Sequence, residues 1–403
     1  MTVLRTPRLA ALLAVLAIGA TLIPPTAAQA EASGLDVVAG TGTAGSTGDG
    51  GPASGALLNH PTGVAVAADG TVYISDAGNY RVRAVAPDGT ISTVAGTGRA
   101  GRAGATVPPG ARGTDVDLLL PQNLAVGADR TLYIADPGLS RVFALSPDGR
   151  LSVMAGTGIR GPAGDGGPAT RAAFGQLGGL AVGPDGTVYI GDLQTHRVRA
   201  VSRDGGITTV AGNGGEHVTA AGGAATEIPV VNPSGIAVDG QGTVWIASAG
   251  MVQRLSGGKV ATATRPDQPD GGRWGLSEAA TWPPAEPPLI DISTVGVSGD
   301  DVYVLDMGER TVLRLGAGDA LEAVATLDSA EGPLDGPIAV AASGVGYLVD
   351  NASHRVYSFR PTPPRADDPD NGGSTPWWPF VAAGAVVVLL IGGWFVVRRV
   401  RAH

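Results

Sequence analysis

Five aspartates recur in one local setting: Tyr73-Ile74-Ser75-Asp76, Tyr133-Ile134-Ala135-Asp136, Tyr189-Ile190-Gly191-Asp192, Tyr303-Val304-Leu305-Asp306 and Tyr347-Leu348-Val349-Asp350. A ring of carboxylates is the ligand set of a hard cation such as calcium. A carboxylate at a strand end can also accept backbone N–H groups of the loop that follows and fix that turn. A residue that returns in nearly every copy of a repeat serves the repeat, so the structural role is the expected one. Histidine is the other chemically versatile type. His60, His196, His217 and His354 lie between the terminal segments, and His196 and His354 hold the same slot, each just before Arg-Val. Trp274 and Trp282 suggest recognition instead. They sit with six prolines in the stretch 265–288, which only one copy of the repeat has, and aromatic side chains on a long loop serve as binding anchors. The Gly48-Asp49-Gly50-Gly51-Pro52-Ala53 loop returns unchanged at Gly164 to Ala169. It lacks both the lysine of a phosphate loop and the spacing of glycine-rich calcium repeats, which leaves a linking turn.

These residues are positioned by a repeated unit. Each copy has a small-residue apolar strand, a turn, the Tyr-Ile-x-Asp strand, a short loop, a strand opening Arg-Val, a Pro-Asp-Gly turn and a strand ending Val-Ala-Gly. The sixth member of the set is Trp245-Ile246-Ala247-Ser248. Turns such as Ala68-Asp69-Gly70, Pro87-Asp88-Gly89, Pro147-Asp148-Gly149 and Pro184-Asp185-Gly186 supply the positive φ that tight hairpins need. The first strand is alanine-rich (Ala65, Ala125, Ala181, Ala237, Ala339), whereas later strands carry Val, Ile, Tyr, Phe and Arg. Sheets converging on one axis crowd their innermost strands, so this gradient predicts an all-β, six-bladed β-propeller over 31–360. Copy six stops after three strands, and Leu35 to Gly42 resembles the fourth strand of copy one. The N-terminal segment is therefore expected to complete the last blade and leave no open edge.

A six-fold ring constrains the chemistry. Copies three and six are opposite each other, so His196 and His354 cannot share a metal, and His60 is the histidine expected near the axis. The axial entrance reads Thr62-Gly63, Gln122-Asn123, Gly178-Gly179, Ser234-Gly235, Ser293-Thr294 and Gly336-Pro337. These positions offer no carboxylate, a poor set for calcium. No catalytic constellation, metal site or cofactor is expected. His60 and Asn123, with Trp274 and Trp282, are the candidate binding residues.

The ends of the chain read as membrane signals. Residues 1–30 run from Arg5 and Arg8 through the apolar stretch Leu9 to Ile23 to Ala28-Gln29-Ala30, the order of a secretory signal peptide. Residues 377–397 form an uncharged stretch flanked by tryptophans and followed by the basic tail 398–403. That predicts one C-terminal transmembrane helix with its tail in the cytoplasm. A Pro/Asp/Gly-rich spacer, 361–376, separates helix from propeller. The net charge of −9 conceals the division: no acid lies in either terminal segment, so 36 acids face 22 bases between them. An acidic extracellular part has no footprint for nucleic acid. The chain has no cysteine, which excludes disulfides, thiol nucleophiles and cysteine-ligated metals.

The elements Asn59-His60-Pro61-Thr62-Gly63-Val64-Ala65-Val66, Val72-Tyr73-Ile74-Ser75-Asp76 and Asn79-Tyr80-Arg81-Val82, with the loops Ala39-Gly40-Thr41-Gly42 and Gly48 to Ala53, resemble NHL repeats. The resemblance covers about residues 35–360 and is strongest in copies one to three. It implies a six-bladed propeller of a kind used for protein or nucleic-acid binding, as an extracellular sensor and, in some relatives, as a lyase or lactonase. The expected function is a membrane-anchored, extracytoplasmic scaffold at the cell surface that binds a surface protein or envelope ligand. The alternative is a metal-dependent, lactonase-like hydrolase or lyase with an axial site near His60 or Asn123.

Overall fold

The computed structural model describes residues 35–217, 223–263, 292–307, 310–315, 321–326 and 336–360. The expected signal peptide, the 265–288 insertion with Trp274 and Trp282, the spacer, the membrane helix and the basic tail lie outside the described residues. Among those described, no helix is long and apolar enough to cross a membrane.

Six antiparallel sheets follow one another along the chain. Blade 1 is β2 (Pro61–Val66), β3 (Val72–Asp76), β4 (Arg81–Val85) and β5 (Ile91–Ala95). Blade 2 is β6 (Leu124–Val126), β7 (Leu132–Asp136), β8 (Arg141–Leu145) and β9 (Leu151–Ala155), and blade 3 is β10 (Leu177–Val182), β11 (Val188–Asp192), β12 (Arg197–Val201) and β13 (Ile207–Ala211). Blade 4 has β14 (Gly223–Ala224), β15 (Pro233–Val238), β16 (Val244–Ser248), β17 (Met251–Ser256) and β18 (Lys259–Thr262). Blade 5 comprises β19 (Ile292–Ser298), β20 (Asp301–Asp306), β21 (Thr311–Leu315) and β22 (Leu321–Thr326). In blade 6, β23 (Ile338–Val340), β24 (Gly346–Asp350) and β25 (Arg355–Phe359) are completed by β1 (Leu35–Ala39). The pairs Leu35↔Phe359 and Val37↔Tyr357 close the ring with the first described strand, as the sequence match requires.

Small residues on the first strands reflect a real crowding. A Cβ on Gly179 would come within 2.6 Å of the Ile236 backbone nitrogen, and one on Gly235 within 2.8 Å of Thr294 Cα. Side chains there would drive the inner strands apart. Away from the axis, buried side chains of adjacent blades form shared clusters. Ile74 and Leu58 of blade 1 pack with Val349 and Val356 of blade 6, and Ile190 of blade 3 with Val142 of blade 2. Each blade therefore needs its neighbours to bury its faces, and the closed ring is the smallest unit in which every face is covered.

Blade 4 departs from four strands. In blades 1 to 3 the linking loop touches the outermost strand by a single bridge, Pro52↔Thr90, Arg112↔Arg150 and Pro168↔Gly206. In blade 4 the same contact extends to two pairs, Gly223↔Val260 and Ala224↔Lys259, and becomes β14. Proline has no N–H to donate, so the two Gly-Asp-Gly-Gly-Pro-Ala loops cannot extend the ladder at Pro52 or Pro168.

Candidate functional site

The recurrent aspartates point into the blades rather than toward the axis. Asp76, Asp136, Asp192, Asp306 and Asp350 are all fully buried. Asp76 Oδ1 accepts the Asn59 N–H at 2.7 Å and Oδ2 accepts Asn79 Nδ2 at 2.8 Å. Asp136 accepts the backbone N–H groups of Leu119, Leu120 and Leu139, and Asp192 those of Gly175 and Gln176. The following loop was the expected partner, and Leu139 and Ser353 supply such bonds. In blades 1 to 3, however, a further partner lies 17 residues upstream, in the loop that enters the blade's innermost strand. Blade 4 keeps the clamp with reversed polarity: Ser248 Oγ donates to the Val231 carbonyl at 2.7 Å, again 17 residues back. Burial pushes the Asp76 carboxyl up to about 6, against the pull of Asn79, Asn59 and Arg83. Burial also raises Asp136 and Asp192, against their backbone N–H bonds.

The repeated Gly-Asp-Gly-Gly-Pro-Ala loop has a partner that sequence reasoning missed. Arg83, on β4, is fully buried and reaches Asp49 Oδ1 with Nε at 3.1 Å and Nη2 at 2.6 Å. Arg199, on β12, repeats this with Asp165 at 2.9 and 2.5 Å. Each guanidinium also donates to a carbonyl, Leu57 or Ala173. Thr93 Oγ1 and Thr209 Oγ1 hold the second carboxylate oxygens. Burial opposes ionisation of Asp49, but hydrogen bonds from Thr93 and Arg83 outweigh it and hold the carboxyl below its ordinary range. Blade 2 lacks the loop and carries Phe143 where these blades carry arginine. The signal was available: Asp49 to Arg83 and Asp165 to Arg199 are both 34 residues apart.

The entrance positions do converge. Thr62, Gln122, Asn123, Gly178, Ser234, Ser293, Thr294, Gly336 and Pro337 line one cavity of about 240 Å³, joined by Asn351. Their polar atoms stitch adjacent blades together. Thr62 Oγ1 donates to the Pro121 carbonyl, Asn123 Nδ2 to Gly178, Ser234 Oγ to Ser293, and Thr294 Oγ1 accepts the Ile338 N–H.

His60 does not line that cavity; it stands exposed at the seam between blades 6 and 1. Its backbone N–H donates to His354 Nδ1 at 3.1 Å, its own Nδ1 lies 2.7 Å from Asn351 Oδ1, and the two rings meet edge-on with centroids 4.9 Å apart. The diagonal seam repeats the first contact, the Asn232 N–H donating to His196 Nδ1 at 3.2 Å. The slot shared by His196 and His354, just before the third strand, is left-handed in all six blades: Tyr80, Ser140, His196, Arg310 and His354 have φ from 48 to 56°, and Gly250 of blade 4 has φ 76°. Because His354 Nδ1 accepts an N–H, the neutral ring carries its proton on Nε2 and offers no lone pair there for a metal. Burial chiefly, then the neighbouring His60, lowers the His354 pKa, with Asp350 opposing. Among the described residues no group of three or more His, Cys, Asp or Glu is arranged to hold a metal ion.

A closed ring of six radial antiparallel sheets is a six-bladed β-propeller, and the sequence similarities support the NHL-repeat family for it. Residues 23–164 match the family model of the teneurin NHL domain. The chain is 32% identical over 177 residues to Teneurin-m of Drosophila melanogaster, covering 41% of this chain and 6% of that protein. It is 28% identical over 246 residues to mouse Teneurin-1, covering 54% and 9%. The chain thus spans under a tenth of the length of either relative. A solved gluconolactonase from Xanthomonas campestris is similar at 14% identity and a TM-score of 0.47, over 76% of this chain and 87% of that one.

Proposed function

We propose that the propeller is a protein-binding scaffold, displayed outside the cell on a single C-terminal membrane helix with the basic tail in the cytoplasm. The carrying observation is how the polar groups are used. Of the conspicuous candidates for axial chemistry, Asp76, Asp136 and Asp192 and the entrance side chains of Thr62, Asn123, Ser234 and Thr294 are hydrogen-bonded within and between blades. What remains for function is the outside of a rigid ring, which suits recognition by exposed loops. Similarity to teneurin NHL sequence supports the same reading.

Protease treatment of intact cells expressing the full chain tests the display. The propeller is expected to be shaved while a tag after His403 survives; protection of the propeller would overturn the topology. Crosslinking on the same cells, with the wild-type chain and a 265–288 deletion, tests the scaffold. A defined partner whose capture falls at least tenfold on deletion is expected, and no specific crosslink in either would count against it. Metal analysis of the purified chain decides the lactonase-like alternative, which requires a stoichiometric divalent ion.

A further inference from the structure

At the ends of the strands remote from the entrance, the groove between blades 4 and 5 is unlike the others. Blades 1 to 3 pair a tyrosine on the second strand with an alanine on the third: Tyr73↔Ala84, Tyr133↔Ala144 and Tyr189↔Ala200. Blade 4 replaces both members, and the pair becomes Trp245↔Arg254. The result is a cavity of about 480 Å³ in which Trp245 and Arg254 are joined by Lys259, Gln241, Ser256 and Asp300. Lys259 is the one lysine in the chain.

The indole is a prepared surface. Trp245 is half-buried, and its Nε1–H donates to Asp239 Oδ2 at 3.1 Å. Asp239 is itself buried and is held by the N–H groups of Gln241 at 3.0 Å and Thr243 at 2.8 Å. The ring plane is thus fixed before any ligand arrives, which removes an ordering cost from binding. Around it stand donors and acceptors in mixture. Arg254 and Lys259 are exposed and make no ion pair among the described residues. Gln241 Nε2 donates to Asp300 Oδ1 at 2.9 Å, and the Asp300 carboxylate lines the cavity beside them. The pairing Ala224↔Lys259 backs the lysine with the extra strand β14.

Charge decides the ligand class. Arg254 and Lys259 are balanced by Asp239 and Asp300, so the groove has no net charge to attract a phosphate or a polyanion. A flat apolar face bordered by both donors and acceptors suits a molecule with a C–H face and a rim of hydroxyls, each able to give and take a hydrogen bond. We propose that the Trp245 groove between blades 4 and 5 is a binding site for a neutral saccharide, one pyranose ring stacking on the indole while Arg254, Lys259 and Asp300 engage its hydroxyls. This is a second binding function beside the scaffold role and does not depend on it.

The test is calorimetric titration of the full chain, in a non-glycosidic detergent, with cellotetraose, chitotetraose, mannotetraose and maltotetraose, and with the corresponding methyl monosaccharides. Tetrasaccharides binding much more tightly than the methyl glycosides indicate a polysaccharide ligand, and equal binding a glycan terminus. At least one probe is expected to bind with a Kd of about 1 mM or tighter. Arg254→Ala and Lys259→Ala, both at exposed positions, are expected to weaken it at least fivefold. Trp245→Tyr restores the residue of the other blades and so keeps the fold, and it is expected to weaken binding about threefold to tenfold. Crosslinking to a protein partner should be unchanged in all three variants. No binding by any probe up to about 10 mM, or binding indifferent to all three substitutions, overturns the proposal.

Discussion

Two seams on opposite sides of the ring begin from the same device and end differently. Between blades 3 and 4, His196 accepts the N–H of Asn232, and a continuous chain joins the blades. Between blades 6 and 1, His354 accepts the N–H of His60 in the same way, but blade 6 is finished by a strand from the other end of the sequence. This second seam carries more: the edge-on histidine pair, the His60–Asn351 contact and the Arg83–Asp49 pair. The difference shows where a ring made of equal parts needs unequal fastening. Blades 1 to 5 each form from one continuous stretch of chain, whereas blade 6 is held to its last strand only by the noncovalent β1–β25 pairing, in a chain with no cysteine to bridge it.

Removing the two extra strands sharpens that contrast most. Deleting 35–39 strips β1 from β25 and exposes an open sheet edge, so the chain is expected to lose cooperative melting and to self-associate, read by calorimetry and light scattering. Deleting 223–224 removes β14, which only adds to a complete four-stranded blade, and should lower stability by about 1 kcal/mol or less. Comparable losses from both would end the distinction.

Next in size is the Arg83–Asp49 pair. Asp49→Ala leaves a buried guanidinium without its carboxylate and is expected to cost about 2 kcal/mol in denaturant unfolding, discounted because the Asp49 side chain is 45% exposed. Asp165→Ala does the same to Arg199 at an internal seam and should cost less if the closing seam is the weaker one. His354→Ala is expected to cost about 1 kcal/mol and His196→Ala less, since only the former also loses a ring contact.

The smallest effect is a pH dependence with two signs. His354 has a lowered pKa in the fold, so the unfolded chain takes up the proton first. Its contribution is present above the ordinary histidine value and fades as pH falls below about 6.5. Asp76 runs the other way. With its carboxyl pushed up to about 6, the fold binds a proton that the unfolded chain releases, so its contribution grows as pH falls from about 6 toward about 4. Stability measured at pH 7.5, 5.5 and 4.5 should therefore fall less on acidification in His354→Ala than in wild type, and more in Asp76→Asn. Parallel curves for all three proteins would remove both groups from the account.

Much of this architecture could be read from the residues themselves. Strand type, copy number and the closing role of 35–42 followed from the Tyr-Ile-x-Asp spacing and the missing fourth strand of copy six, because both are local patterns repeated in register. The entrance set followed too, since equivalent positions in a ring must meet at its axis. Contacts between copies were harder. His60 and His354 are 294 residues apart, and the equivalent contact in the opposite seam joins an asparagine N–H to His196, so no repeated pair of side chains marks it in the sequence. Arg83 and Asp49 lie in different segments whose packing only the folded blade reveals. The upstream partners of the aspartates were hidden for a simpler reason: a backbone N–H has no side-chain identity to notice. Trp245 was visible only as a departure from tyrosine, and its meaning appeared when the facing residue proved to be Arg254.

The closing strand pair also sets how the molecule responds to a pull. Leu35 and Phe359 face each other at one end of β1 and β25, so the chain enters and leaves the ring at neighbouring points. Tension applied across those two points peels the pair open one backbone hydrogen bond at a time instead of shearing all of them together. A ring whose blades bury one another's faces thus has, under mechanical strain, a zipper as its weakest direction.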